Sequence, residues 1–410
     1  MAKEILNAKG IPTVEATVIL DNGKAGVASF PGGDAYDFDA LELKDNDKKR
    51  FDGQGVLKAV SNILSPIAPH LIGKDALGQQ EIDRKMIEID GTPNKSFLGA
   101  NAIFPVSMAV ARAGAQTSNL PLYIYLRQFL HKTNPRPTIP IPMFNLINGS
   151  VDPSTGVCDF NEFIIIPASS KSYSEALQMC VSIRKSLKEL LESKSSEVSE
   201  YDDINTSGMP SNKEAFFLLN KAVETILRPG FDVFFGLGSR ASNFVKDGKY
   251  KIKDFPSPLT SAELLSFYEE LNKNIHLLYL EDPFSRDDWI GWENLAVRFP
   301  QNTIIAGGDL VSANLERLDM ALVKKAVSGV VIKPAQVGTV IEALAIAESA
   351  RVMGLKIVVS HRSNETNDDF ISDFAVAVSS DYVKLGILAR GENISKYNRL
   401  LQIEHQLKTL

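Results

Sequence analysis

The sequence predicts an α/β protein in which an N-terminal α+β domain precedes a (β/α)₈-type barrel, and three observations carry that expectation. First, several apolar runs stop abruptly at a charged side chain: LLYL at Glu281–Asp282, TIIAGG at Asp309, GVVI at Lys333, IVVS at His361–Arg362 and DYV at Lys384. Parallel barrel strands are buried along their length and open at their C-terminal ends, so polar residues placed there face a common mouth. Second, strands and amphipathic helices alternate from about residue 139 onward, as in NEFIIIP followed by SYSEALQMCVSIRKSLKELLES and VVIKPAQVG followed by TVIEALAIAESARVMG. That alternation is the pattern of a parallel sheet with crossover helices. Third, 410 residues suit a barrel of about 250 residues plus a smaller domain.

The first 130 residues read differently. TVEATVILD and GKAGVASF alternate apolar and polar residues around Asp21-Asn22-Gly23, a hairpin signal that predicts an antiparallel meander. Helical periodicity follows in GVLKAVSNILSPIAPHLI, interrupted by Pro66 and Pro69, and in ANAIFPVSMAVARAGAQ, whose small residues suit close packing. The run from Asn134 to Pro142 carries four prolines and predicts an extended connector. The expected domains are therefore 1–130 and 139–410. The segment from Lys194 to Lys213 is Ser-, Asp- and Asn-rich without periodicity and predicts a solvated loop.

Composition excludes several classes. A net charge of −6 gives no reason to expect nucleic acid or an anionic membrane. No apolar stretch approaches the ~20 residues of a membrane span, and MAKEILNAKG lacks a signal-peptide apolar region, so the expected location is cytoplasmic. Cys158 and Cys180 form neither a disulfide framework nor a CxxC spacing.

Collinear segments then carry a resemblance. AKGIPTVEA, ALELKDNDKKRFDGQGVLKAV, IEIDGTPNKSFLGANAI, PMFNLING, LEDPFSRDDW, SHRSNET and KYNRLLQIE are similar to segments of enolase, the phosphopyruvate hydratase family, in the same order. The resemblance implies the enolase fold. It also implies a reaction that takes a proton from the carbon beside a carboxylate and expels hydroxide from the next carbon, converting 2-phosphoglycerate to phosphoenolpyruvate. Family members neutralise the developing dianion with two Mg²⁺ ions, which demand near-octahedral oxygen ligation.

Transferred residue by residue, the resemblance places Lys333 at the catalytic base, Glu162 at a further active-site carboxylate, Lys384 at the substrate-binding lysine, and His361, Arg362 and Ser363 in the motif that holds phosphate. The three metal-ligand positions fall on Gly238, Glu281 and Gly308, so Glu281 is the remaining ligand position. Asp309 is the neighbouring candidate, although alternation along a strand predicts that it faces away. Pro31 stands where a loop serine reaches the second metal, Asn205 where a glutamate acts as general acid, and SVDPSTGVCD lacks that loop's histidine. An amide cannot supply the acid's proton, so only a shift of Asp202 or Asp203 would replace it.

Loss of acids with retention of Lys333, Lys384 and Arg362 predicts a locally basic pocket, no tightly bound Mg²⁺, and a small anion or phosphorylated acid as ligand. The functional expectation is an enolase-like protein lacking normal phosphopyruvate hydratase activity and acting as a binding or interaction protein. The alternative is a weak or altered lyase acting on a phosphorylated small acid in glycolysis-related metabolism. Glu4, Lys9, Arg390 and Glu392 lie in segments similar to those that meet across the family's dimer interface, which implies a homodimer or a heterodimer with a true enolase.

Overall fold

A computed structural model describes residues 1–33, 39–131, 136–149, 158–193, 211–312 and 314–409. The N-terminal part opens with β1 (Ala2–Leu6), β2 (Pro12–Ile19) and β3 (Ala25–Ser29), an antiparallel sheet in that order. Its β2–β3 hairpin turns where the Asp21-Asn22-Gly23 signal predicts, with Gly23 at φ +78°, a conformation glycine adopts without a Cβ penalty. The proline-interrupted run forms α1 (Leu57–Asn62), a π-helical turn over Ile63–Ile67 and α2 (Ala68–Leu71). Pro66 lies inside that π turn, consistent with its missing N–H breaking the α-helical ladder.

Next come α3 (Gln79–Asp90), α4 (Ala100–Thr117) and α5 (Leu122–Arg127). Nearly all of α4 is buried because it lies between the small sheet and the barrel, and its small residues permit that double contact. Gly26 on β3 shows how close the approach is: a Cβ there would sit 1.9 Å from the Ala109 carbonyl oxygen.

The barrel strands are β4 (Ile141–Asn148), β5 (Glu162–Pro167), β6 (Val233–Gly238), β9 (Leu277–Glu281), β10 (Ile304–Gly307), β11 (Gly329–Ile332), β12 (Lys356–Ser360) and β13 (Tyr382–Lys384). A two-residue hairpin, β7 (Val245–Lys246) with β8 (Lys249–Tyr250), lies outside the barrel. Closure runs β10-β11-β12-β13-β4-β5-β6-β9. The expectation of an all-parallel sheet needs correction, because β5 is antiparallel to both β4 and β6. The chain enters the barrel as two adjacent strands followed by two helices, α6 (Tyr173–Ser193) and α7 (Asn212–Glu224). Strand–helix alternation then supplies α8 (Ser261–Ile275), α9 (Trp289–Arg298), α10 (Leu315–Val323), α11 (Val340–Val352), α12 (Phe370–Ala377) and α13 (Gly391–Thr409).

Period two sorts each strand into an inner and an outer face. Met143, Ile164, Ile166, Tyr279, Ile304, Ala306, Val331, Val358 and Tyr382 fill the barrel interior, while their neighbours Ile165, Leu280, Ile305, Val330 and Val359 pack into the larger core that includes the helices. The two parts of the chain are joined by buried polar contacts. Asp83 on α3 accepts from the Ile341 N–H at 3.0 Å, Ser107 Oγ accepts from Val340 N–H at 3.0 Å, and Arg112 forks onto Asp368 at 2.8 and 2.9 Å. Capping the first turn of α11 with side chains from α3 and α4 fixes the small domain against the barrel.

Candidate active site

The inner face of each strand continues by two residues into the mouth. Tyr279 leads to Glu281, Val331 to Lys333, Val358 to Ser360 and Tyr382 to Lys384. Glu162 reaches the same mouth by another route: β5 runs in the opposite direction, so its first residue stands at the end where the other strands finish. In register it lies opposite Gly238, whose other neighbour is Glu281.

Lys384 is the centre of the floor. Its Nζ lies 2.6 Å from Glu162 Oε2 and 2.5 Å from Glu281 Oε2, and all three side chains are largely buried. Burial alone would push the lysine pKa down, but the two carboxylate charges outweigh it and hold the value well above the ordinary one. Tyr279 completes the cluster, donating its hydroxyl to Glu281 Oε2 at 2.5 Å.

The two glycines are not empty sockets. A Cβ at Gly238 would lie 2.8 Å from Glu162 Oε2, and one at Gly308 would lie 2.7 Å from Asp282 Oδ2 and 3.3 Å from Glu281 Oε1. Asp282 occupies its place by accepting the backbone N–H groups of Gly308 at 3.0 Å and Asp309 at 2.8 Å. Burial, followed by the charges of Asp309 and Glu281, pushes its carboxyl group up. Neighbouring acids therefore use the volume that the absent side chains release.

Asp309 departs from the expectation drawn from alternation. β10 ends at Gly307, and the chain then turns, with Ser312 N–H donating to the Gly308 carbonyl at 2.8 Å. The Asp309 carboxylate consequently lines the pocket, with Oδ1 3.8 Å from Lys333 Nζ and Oδ2 3.4 Å from Arg240 Nε. Arg240, two residues beyond β6, is a lining residue that sequence reasoning missed. Its signal was visible in FFGLGSR, another apolar run that stops near a charge.

The remaining rim comes from the loop after β12. Arg362 is buried and its backbone N–H donates to Glu365 Oε1 at 2.9 Å, while Ser363 is exposed at the mouth. Gly33 packs so closely here that a Cβ would lie 2.7 Å from Arg362 Nε, and Gly32 pairs with Asn364. The His361 imidazole is pushed down to about 4 by burial, so it is neutral at pH 7. Pro31 lies beside a second, smaller cavity rather than lining the main pocket. Asn205, Asp202, Asp203 and most of the SVDPSTGVCD loop lie outside the described residues.

The pocket encloses about 100 Å³ of water-accessible space, enough for several waters or a small acid. Among the described residues its lining corrects the expectation of a basic pocket: Glu162, Glu281, Asp282 and Asp309 stand beside Arg240, Lys333, Arg362 and Lys384. For Mg²⁺ the donor set does not fit. Glu281 and Glu162 are committed to an ammonium, Asp282 to backbone N–H groups, and no cluster of three or more His, Cys, Asp or Glu among the described residues is arranged to hold a metal.

A closed barrel whose mouth gathers lysines, arginines and carboxylates from different strands and the loops after them defines an α/β protein of the enzyme-bearing barrel class. Residues 1–126 match the family model of the enolase N-terminal domain, and residues 136–409 match that of the enolase C-terminal TIM barrel domain. The chain belongs to the enolase family.

Proposed function

We propose that this chain is an enolase-like protein that lacks normal phosphopyruvate hydratase activity, holds no Mg²⁺ tightly, and acts as a binding protein for a small anion or phosphorylated acid. The observation that carries this reading is the position of Lys384: its ammonium bridges Glu162 and Glu281 where Gly238 and Gly308 contribute no carboxylate. A fixed single charge there satisfies the buried acids, but it lacks the open coordination positions through which Mg²⁺ stabilises a carboxylate dianion. Lys333, Arg362 and Ser363 remain in the pocket as donors.

The test is direct. Purified protein is supplied with 2-phosphoglycerate and Mg²⁺, phosphoenolpyruvate formation is followed, and bound metal is measured. Absence of both turnover and stoichiometric metal is expected. Robust turnover abolished by Lys333→Ala would refute this reading, and slow turnover abolished by the same change would favour the alternative of a weak or altered lyase in glycolysis-related metabolism.

The proposed location is the cytoplasm; no helix among the described residues is long and apolar enough to cross a membrane. We also propose a homodimer or a heterodimer with a true enolase. Within its own chain Glu4 is paired with Arg50 and accepts the Val56 N–H at 2.9 Å. Light scattering at micromolar concentration, with co-purification against a true enolase, distinguishes these assemblies from a monomer.

A further inference from the structure

The segment that joins the pocket to α11 is gripped from outside the barrel. It begins at Lys333, passes the pocket residue Gln336 and enters the first turn of α11. Ala40 N–H donates to the Gln336 carbonyl at 2.8 Å, and Gln336 Nε2 donates to Asp39 Oδ2 at 3.0 Å. Further on, Val340 N–H donates to Ser107 Oγ and Ile341 N–H to Asp83 Oδ2, both at 3.0 Å, while Lys95 Nζ lies 2.9 Å from Glu342 Oε1. Donors that the start of α11 leaves without intrahelical partners therefore depend on the small domain. Asp83 is buried, and its hydrogen-bond donors among the described residues are all neutral: Gln79 Nε2 at 2.9 Å, Ser107 Oγ at 2.7 Å and the Ile341 N–H. From α11 the charge that faces it is Glu342, and Lys95, in the loop before α4, is paired with that glutamate. Burial, then the charges of Asp75 and Asp83, keeps the Tyr125 phenol on α5 neutral, and on α3 itself Glu81, Arg84 and Glu88 are exposed. Burial, with the Glu342 charge adding to it, outweighs the neutral donors and pushes the Asp83 carboxyl up to about 7. The other domain contact behaves differently. Burial raises the Asp368 carboxyl too, but Arg112 forks onto it and holds it below its ordinary value.

We propose that Asp83 makes this docking a proton-operated clasp, which holds the segment from Lys333 to Ile341 firmly while Asp83 carries a proton and opens more readily once Asp83 is ionised. An opened clasp exposes the carboxyl group to water, where it ionises easily, so the proton favours closure and its loss favours opening. The stabilisation is complete below about pH 3.8 and is lost as pH rises to about 7. Opening is a local event at one face of the domain contact, since the contact built on Arg112 and Asp368 keeps its charge balance over the same range. Because Lys333 and Gln336 line the pocket, the clasp ties the setting of that wall to pH. It needs neither ligand nor metal and stands apart from the binding role proposed above.

Amide hydrogen exchange of the full chain between pH 5 and pH 8, corrected for the intrinsic pH dependence of exchange, reads the clasp directly. Protection of the Val340 and Ile341 amides should fall by roughly tenfold or more over that range, and that of Ala40, which bonds Gln336, should fall with it. Ser29 N–H, which donates to Asp368 at 3.0 Å, is the internal control and should change by less than about threefold. In Asp83→Asn, protection at Val340 and Ile341 should no longer respond to pH. A flat profile at Ile341 in the wild-type protein, or a fall that persists in Asp83→Asn, overturns the proposal. An equal fall at Ser29 overturns it as well, because the whole domain contact would then be loosening. That comparison is made within the wild-type protein, so it decides the matter even if the variant fails to fold. Unchanged protection at Ala40 overturns the link to the pocket wall.

Discussion

Replacing Lys384 with methionine should damage the barrel more than any other single change at the mouth. The ammonium lies 2.6 Å from one buried carboxylate and 2.5 Å from another, and its side chain is 5% exposed. Removing one partner from a buried ion pair costs about 3–5 kcal/mol, because the remaining charge keeps its desolvation penalty without compensation. Here one deletion orphans two acids, so the upper part of that range applies. At about 2 °C per kcal/mol, the low end for large domains, Lys384→Met should lower the thermal midpoint by about 8–10 °C. The double variant Lys384→Met/Glu162→Gln should recover part of the loss, since the second change removes one orphaned charge, and urea melts of the four proteins in that cycle measure the coupling. A destabilisation below about 1 kcal/mol, or a double variant no more stable than the lysine variant alone, would refute the claim that this ammonium is the counter-ion of the floor.

Three other outcomes follow from particular residues. Burial pushes the Asp83 carboxyl from 3.8 up to about 7, so its contribution to stability is fully present below pH 3.8 and is lost as pH rises through 7; that rise bounds the loss at about 4 kcal/mol. Asp83→Asn should therefore gain stability relative to wild type between pH 5 and pH 8 in urea melts, and an equal difference at both pH values would contradict the sign. Gly308→Asp should lower stability by about 1–3 kcal/mol without conferring tight Mg²⁺ binding, because its Cβ meets Asp282 Oδ2 at 2.7 Å and its charge adds to those of Glu281 and Asp282; a stable variant binding one Mg²⁺ by calorimetry would overturn this. Gly26→Ala should cost more than about 3 kcal/mol, as its Cβ would lie 1.9 Å from a backbone oxygen of α4 that cannot rotate aside, and an unchanged thermal midpoint would count against the packing described.

The sequence by itself determined which side chains reach the mouth from the strand ends. Tyr279 to Glu281, Val331 to Lys333 and Tyr382 to Lys384 are two-residue steps along buried strands, and such alternation is a local property that needs no knowledge of the partner strand. Family membership was equally legible, because the matching segments extend over both domains in order. Only the tertiary structure decided how those side chains spend their charge. The reversed direction of β5 brings Glu162 to the mouth, the turn after Gly307 swings Asp309 inward, and Arg240 arrives from the loop beyond β6. Lys384 meets Glu162 and Glu281 across 222 and 103 residues of chain. Electrostatic interaction falls with distance through space and depends on burial, and neither quantity is written in the order of residues along the chain. That is why a count of lost acids and retained bases predicted a basic pocket, whereas the folded barrel places four acids among four bases and holds one lysine between two glutamates.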